Sequence, residues 1–313
     1  MKEIQAVKEL DIFGKTVRLK NYGCSKDGGP YFEKEPPFTI KLSICPTQFC
    51  AGGCPFCVAV NTVSNTGFLD IEKLRQALLE LKKRDIISTI SITGGEPFTD
   101  ISLLNEIVEA VFEIFGLEMQ LSINTNGIGL SEMRKIRKYL FIDTIHISRH
   151  HYDDAINRRY FNLDVPTEEE LAEIVGSVKD KRLFVFNCLL LKDGIGTKEE
   201  AKRFMEFADR VRVPKVGFVT VMPINPYTEM NRVSYMEVLD SKDPDILFRK
   251  CFRDYEYCHC TDGIYAASSG RIVHFYGRET EFGGPDFARG LVYTSDNELR
   301  TGYGENAELI KRF

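Results

Sequence analysis

No stretch of this 313-residue sequence is apolar for long enough to cross a bilayer. The longest run, "LFVFNCLLL" at 183–191, falls well short of the roughly 20 residues a spanning helix needs. The opening "MKEIQAVKEL" has no apolar signal-like core, so neither membrane insertion nor export is expected, and the expected location is cytoplasmic. No Lys/Arg block is long enough to suggest a phosphate-tracking surface and the net charge is -5, which argues against nucleic acid as a partner. Internal repeats and low-complexity tracts are missing too. Apolar residues at 43% and charged residues at 28% exclude a disordered or collagen-like chain. The length suits one large domain, or one domain with a small appendage.

What is present is a rhythm. From residue 38, strand-like runs alternate with helical patterns: "FTIKLSI" (38–44), "IISTISIT" (86–93), "MQLSINT" (119–125), "IDTIHIS" (142–148), "RLFVFNCLLL" (182–191) and "KVGFVTVM" (215–222) read as strands. Helices are expected at 70–84 behind Asp70, at 101–115, at 131–140 behind Ser131, and near 168–179 and 198–210 behind capping boxes at Thr167/Glu170 and Thr197/Glu200. Six strands with a helix after each of the first five demand parallel pairing through right-handed crossovers. The expected fold is therefore α/β, a partial (β/α)6 TIM-type barrel over 38–226. Residues 1–37 read as an N-terminal addition and linker. Residues 227–313 read as a C-terminal extension that covers one barrel mouth, with a hairpin turning at Ser269-Gly270.

Nine cysteines is an odd total, and three of them crowd into "FCAGGCPFC" at 49–57. Nothing suggests an oxidising compartment, so ligation rather than disulfide pairing is the default. Cys50, Cys54 and Cys57 fall in the loop after the first strand, the end of a parallel β/α fold that carries chemistry. Three thiolates on so short a loop can ligate three irons of a cubane and leave the fourth open, with Gly52 and Gly53 letting the backbone wrap closely. A structural zinc is the competing reading, but zinc normally takes four ligands and the loop offers three. "GGEP" at 94–97, after the second strand, would alone be only a turn.

Taken together, the Cys-x3-Cys-x2-Cys loop, Phe56 and "GGEP" resemble the radical S-adenosylmethionine (radical SAM) superfamily, and the resemblance covers roughly residues 38–224. It implies a 4Fe-4S cluster on Cys50, Cys54 and Cys57 that cleaves S-adenosylmethionine to a 5′-deoxyadenosyl radical, which abstracts hydrogen from substrate. It also implies an electron donor such as flavodoxin or ferredoxin. Gly94, Gly95, Glu96 and Pro97 match the segment that binds the methionyl amino group. Asn126 in "NTNG", Ser148 at the end of strand four and Met222 after strand six match positions that contact the rest of the cofactor. In texture the sequence is similar to the branch containing the GTP cyclase of molybdenum-cofactor synthesis. It departs from that branch in its C-terminal cysteines and its "IKRF" ending, so the cyclase activity is not assigned.

Cys251, Cys258 and Cys260 leave three readings open: a second iron-sulfur cluster, a zinc site completed by His259 or His274, or no metal. Cys45 and Cys188 read as a strand-end and a core residue. Arg149, His150 and His151 follow strand four and could hold an anion or shuttle a proton; a solvated loop is the alternative. With Arg271 and Arg278 on the hairpin they suggest a small anionic, nucleotide-like substrate gripped between barrel mouth and extension. The competing functions are a maturase that epimerises or cross-links a ribosomal peptide, and a non-enzymatic iron-sulfur sensor or scaffold.

Overall fold

The computed structural model describes residues 7–20, 38–57, 67–239, 248–250, 263–267, 271–276, 288, 290–303 and 307–313. It opens on a feature the sequence reading passed over. Strands β1 (Val7–Ile12) and β2 (Lys15–Lys20) form an antiparallel hairpin. Its two-residue turn has Phe13 at φ 55 and Gly14 at φ 79, the doubly left-handed geometry that matches strand twist. Ile12, Val17 and Leu19 carry the hairpin into the main core.

The β/α rhythm follows. Strands β3 (Ile40–Ile44), β4 (Ile87–Ile92), β5 (Gln120–Thr125), β6 (Thr144–Ser148), β7 (Phe184–Leu190) and β8 (Lys215–Thr220) pair in sequence order, all parallel. Helix α1 (Ile71–Lys82) starts where Asp70 accepts from the amides of Glu72 and Lys73, and it buries Leu74, Ala77, Leu78 and Leu81, the stripe its spacing requires. α2 (Ile101–Phe115) follows β4. α3 (Asp154–Phe161) and α4 (Glu168–Ser177) follow β6, and α5 (Lys198–Val211) follows β7. Thr167 and Glu170 close the full capping box of α4. At α5, Thr197 caps the Glu200 amide, while the Glu200 carboxylate accepts the Tyr152 hydroxyl at 2.9 Å. Short helices α6 (Pro226–Asn231) and α7 (Tyr235–Leu239) come after β8.

Two expectations are corrected. The helix expected at 131–140 is instead a pair of 3-10 turns, Leu130–Lys135 and Tyr139–Phe141. Gly129 at φ 75 precedes the first and Ser131 makes no cap. The buried residues Leu130, Met133 and Ile136 recur at a spacing of three, which superimposes in a 3-10 turn but drifts around an α-helix. Nor, among the described residues, does the hairpin of the extension lie over the mouth. β10 (Gly263–Ala267) and β11 (Ile272–Tyr276) do form the expected hairpin, joined by β9 (Phe248–Lys250), yet β11 runs parallel alongside β8 and lengthens the sheet. On the opposite edge β12 (Gly290–Tyr293) runs parallel to β3, followed by antiparallel β13 (Glu298–Arg300) and β14 (Leu309–Arg312). The sheet order is β14-β13-β12-β3-β4-β5-β6-β7-β8-β11-β10-β9, so the six expected strands sit at its centre.

The two faces of this sheet differ. One carries Leu42, Ile44, Ile90, Ile92, Leu121, Ile123, Ile145, Phe184, Phe186, Val216, Phe218 and Phe275, each 0% exposed, and packs on the helices. The other, the concave lumen of the barrel, alternates with it residue by residue.

Candidate functional site

The cysteine loop leaves β3 at Ile44 and is pinned from four directions. Against it lies the loop after β4: the Gly95 amide donates to the Thr47 carbonyl and the Glu96 amide to the Phe49 carbonyl, both at 2.9 Å. From α3, the Phe161 carbonyl accepts from the Gly53 amide at 2.8 Å. Asn225, the cap of α6, donates to the Pro55 carbonyl at 2.8 Å. Phe56 is buried edge-on against His150 (ring centroids 4.8 Å apart) and Tyr160 (6.0 Å), with Leu191 and Val221 completing a small apolar cluster. Asp193 holds this corner by accepting the hydroxyls of Tyr160 and Tyr227.

The packing explains the two glycines of "GGEP". A Cβ on Gly95 would lie 2.0 Å from the Phe49 carbonyl oxygen. On Gly94, which sits at φ 110, it would lie 2.8 Å from the Thr47 oxygen. Their bareness lets one loop lie directly on the other.

Glu96 is also used internally. Its buried carboxylate accepts from the Phe98 amide (3.1 Å), the Thr125 hydroxyl (2.7 Å) and the Asn126 amide (2.8 Å), tying the β4 loop to the end of β5. Burial pushes its pKa up to about 7, against the pull of those hydrogen bonds. Asn126, fixed by Glu96 and by its own bond to the Ile128 amide, directs Nδ2 toward Cys50 Sγ at 3.9 Å. Ser148 ends β6, partly buried and paired opposite Asn187. Met222 lies partly buried just beyond β8.

Cys50, Cys54 and Cys57 are free and partly buried. Burial and then the charges of Cys57 and Cys50 push the Cys54 thiol up to about 12, and Cys50 is raised mainly by burial, with Glu96 and Cys57 adding to it. Two partly buried thiols whose ionisation is disfavoured, Cys50 and Cys54, with a third beside them, are a donor set that suits a cationic centre. Among the described residues no three His, Cys, Asp or Glu side chains converge tightly enough for a single metal ion. A cubane takes one thiolate per iron and does not require that convergence, so the loop fits a cluster better than zinc. Cys251, Cys258, Cys260, His259 and Arg278 lie outside the described residues.

The cationic group at the mouth is corrected. Arg149, 1% exposed, donates to the carbonyls of His151 (2.7 Å), Pro166 (2.9 Å) and Tyr152 (3.2 Å), pairs with Asp154, and lies over the Phe207 ring. A guanidinium so engaged, with four of its five N–H groups bonded inside the protein, fastens the β6–α4 connection rather than facing a ligand. His151 is buried, with Nδ1 accepting from the Asp153 amide at 2.9 Å. Arg271 pairs with Asp209 and the Val213 carbonyl beside the first residue of β8, at the end of the sheet away from the cysteine loop. The expected clamp of Arg149 and Arg271 therefore does not exist.

His150 stacks on Phe161 at 5.1 Å and accepts from the Leu189 amide through Nδ1. Burial, then the neighbouring Arg149, lowers its pKa to about 3. Because the folded value lies below the ordinary 6.5, the stability gained is complete above pH 6.5 and is lost as pH falls toward 3. Between pH 7.5 and 5 the wild type should lose about 1–2 kcal/mol more stability than His150→Gln, which keeps an acceptor for Leu189 but cannot charge. Equal slopes in anaerobic denaturant titrations would contradict this account of His150.

A parallel barrel with three thiols on its first loop and a glycine-bridged second loop against them defines an iron-sulfur β/α enzyme. Residues 44–208, more than half of the chain, match the radical SAM superfamily, and the chain belongs to it. Among curated relatives, the putative peptide biosynthesis protein YydG of Bacillus subtilis (strain 168) is 32% identical over 99 residues, 31% of this chain and 30% of that protein. The probable GTP 3′,8-cyclase of Metallosphaera sedula is 25% identical over 226 residues, 69% of this chain and 65% of that protein. Among solved structures, Streptococcus suis SuiB bound to S-adenosylmethionine superposes with TM-score 0.55 at 12% identity, covering 87% of this chain and 62% of SuiB. The chain thus spans less than two thirds of each of these relatives. No described helix is long and apolar enough to cross a membrane.

Proposed function

We propose that this radical SAM enzyme abstracts hydrogen from a small, polar, anionic substrate held in the barrel lumen beneath the cysteine loop. The chemistry a bound cluster and S-adenosylmethionine supply is reductive cleavage of the sulfonium to a 5′-deoxyadenosyl radical. Cys50, Cys54 and Cys57 would hold the cluster. Residues 94–97, Asn126, Ser148 and Met222, all at the carboxyl ends of the strands, would surround the cofactor. Glu96 contributes by fixing Asn126, and Phe56 by anchoring the loop.

The observation that carries the substrate reading is the lumen itself. Parallel strands covered on both faces ordinarily read as continuous apolar runs. Here Lys41, Ser43, Thr89, Ser91, Ser122, Asn124, His146, Asn187 and Lys215 alternate with the sealed apolar face, so the inner surface is polar. Deuterium from the true substrate should appear in 5′-deoxyadenosine during anaerobic turnover. A screen of small anionic metabolites and of peptides that finds transfer only from a peptide would overturn the small-molecule reading. That peptide reading has one specific support, the likeness to YydG over 99 residues.

A further inference from the structure

The eight parallel strands, β12, β3 to β8 and β11, contain neither Asp nor Glu, whereas four basic side chains occupy their lumen-facing positions. Lys41 stands in register with Thr89 and Gln120, His146 with Lys215 across Val185, and His274 with Gly217 and Asn187. All four are partly buried, unlike the fully sealed residues that alternate with them, so the lumen admits solvent there. Gly217 makes room for two polar side chains of this surface, since a Cβ there would meet Asn187 Oδ1 at 2.9 Å and the Tyr276 ring at 3.0 Å. His146 Nδ1 is buried with no hydrogen-bond partner, an unsatisfied group where a ligand atom would be accommodated.

We infer that Lys41, Lys215, His146 and His274 form an oxyanion-binding subsite on the lumen floor, which receives the phosphate-like end of the substrate and points its other end at the mouth. The inference rests on the lumen reading above and names the residues that grip the substrate. Mutual influence supports their convergence: burial first, then the charges of Lys41, His274 and Lys215, act against protonation of His146 and lower it to about 4. A bound dianion would offset that concentration of like charge. Lys41 lies three residues below the end of β3 and His146 two below the end of β6. With Lys215 five residues below the end of β8, the oxyanion would accordingly sit roughly 7–16 Å beneath the mouth at about 3.3 Å per residue, which bounds the span between the anionic group and the reacting carbon.

The test uses reconstituted full-length protein and inorganic phosphate as probe, with acetate in a parallel arm, by anaerobic calorimetry at low ionic strength. Phosphate should bind in the lumen. Lys215→Met and Lys41→Met should each weaken it about tenfold, and Lys215→Arg should stay within about threefold of wild type. Tighter acetate than phosphate binding, lost in the same variants, would replace the phosphate-like group by a carboxylate and overturn that part of the assignment. Phosphate affinity unchanged in the Lys41→Met/Lys215→Met double variant would overturn the subsite. Wild-type cleavage of S-adenosylmethionine, measured on the same preparation, judges the radical reading separately.

Discussion

Cys54→Ala protein, purified without oxygen, is expected to be colourless and to release no 5′-deoxyadenosine from S-adenosylmethionine under dithionite. The expected fall is at least about a thousandfold, equivalent to roughly 4 kcal/mol of barrier. The Cys54 thiol is pushed up to about 12 by burial and then by Cys57 and Cys50. Its removal leaves two ligands for a centre that needs one per iron at three irons. The loop backbone should survive, because Gly53, Pro55 and Phe56 hold it through Phe161, Asn225, His150 and Tyr160 without help from the sulfur. Iron content and melting temperature therefore separate the effects. Near-native melting with iron lost is the expected pair, whereas about four irons and retained cleavage would mean that the cluster lies elsewhere.

Gly95→Ala should be almost as damaging, although the residue touches no sulfur. The added methyl would sit 2.0 Å from the Phe49 oxygen and 2.5 Å from its carbonyl carbon, both of them backbone atoms. No side chain can swing aside, so the loops must part and surrender the bonds from Gly95 to Thr47 and from Glu96 to Phe49. Overpacking and two lost buried hydrogen bonds together suggest about 3–5 kcal/mol. Cluster loading should fall with it, since the sulfurs ride on the displaced loop. A Gly95→Ala protein with wild-type melting and full iron would refute the contact. Ala at Gly176, where nothing lies within 4 Å of the added methyl, is the matched control.

How far the sequence could be read depended on whether a signal was local. The six central strands and α1, α2, α4 and α5 declare themselves through caps and periodicity within a dozen residues. The cysteine loop does the same through spacing. α3 carries its own cap in Asp153 and its stop in Asn162 at φ 47, but at eight residues it is too short for an apolar stripe to repeat and declare it. Arg149 was misjudged for a different reason. Sequence places a charge near a mouth but not the direction of its side chain, and three carbonyls and Asp154 outbid solvent for this one. The roles of Glu96 and Gly95 needed long-range contacts that no spacing encodes. The basic lumen, in contrast, was legible all along in "IKLSI", "TIHIS", "KVGFVT" and "IVHFY", where Lys41, Ser43, Thr144, His146, Ser148, Lys215 and His274 interrupt what a fully buried parallel strand would keep apolar.

The flanking of the sheet on both sides by late segments has a consequence for biosynthesis. β3 and β8 are both made before their outer neighbours β12 and β11, which begin only at Gly290 and Ile272. A nascent chain that has emerged only as far as β8 therefore presents two long, unpaired parallel edges, templates for any passing strand. Closing them demands pairings across some 250 residues on the β3 side, the slow kind of contact in folding. Iron loaded before those edges close would be committed to a chain that can still aggregate.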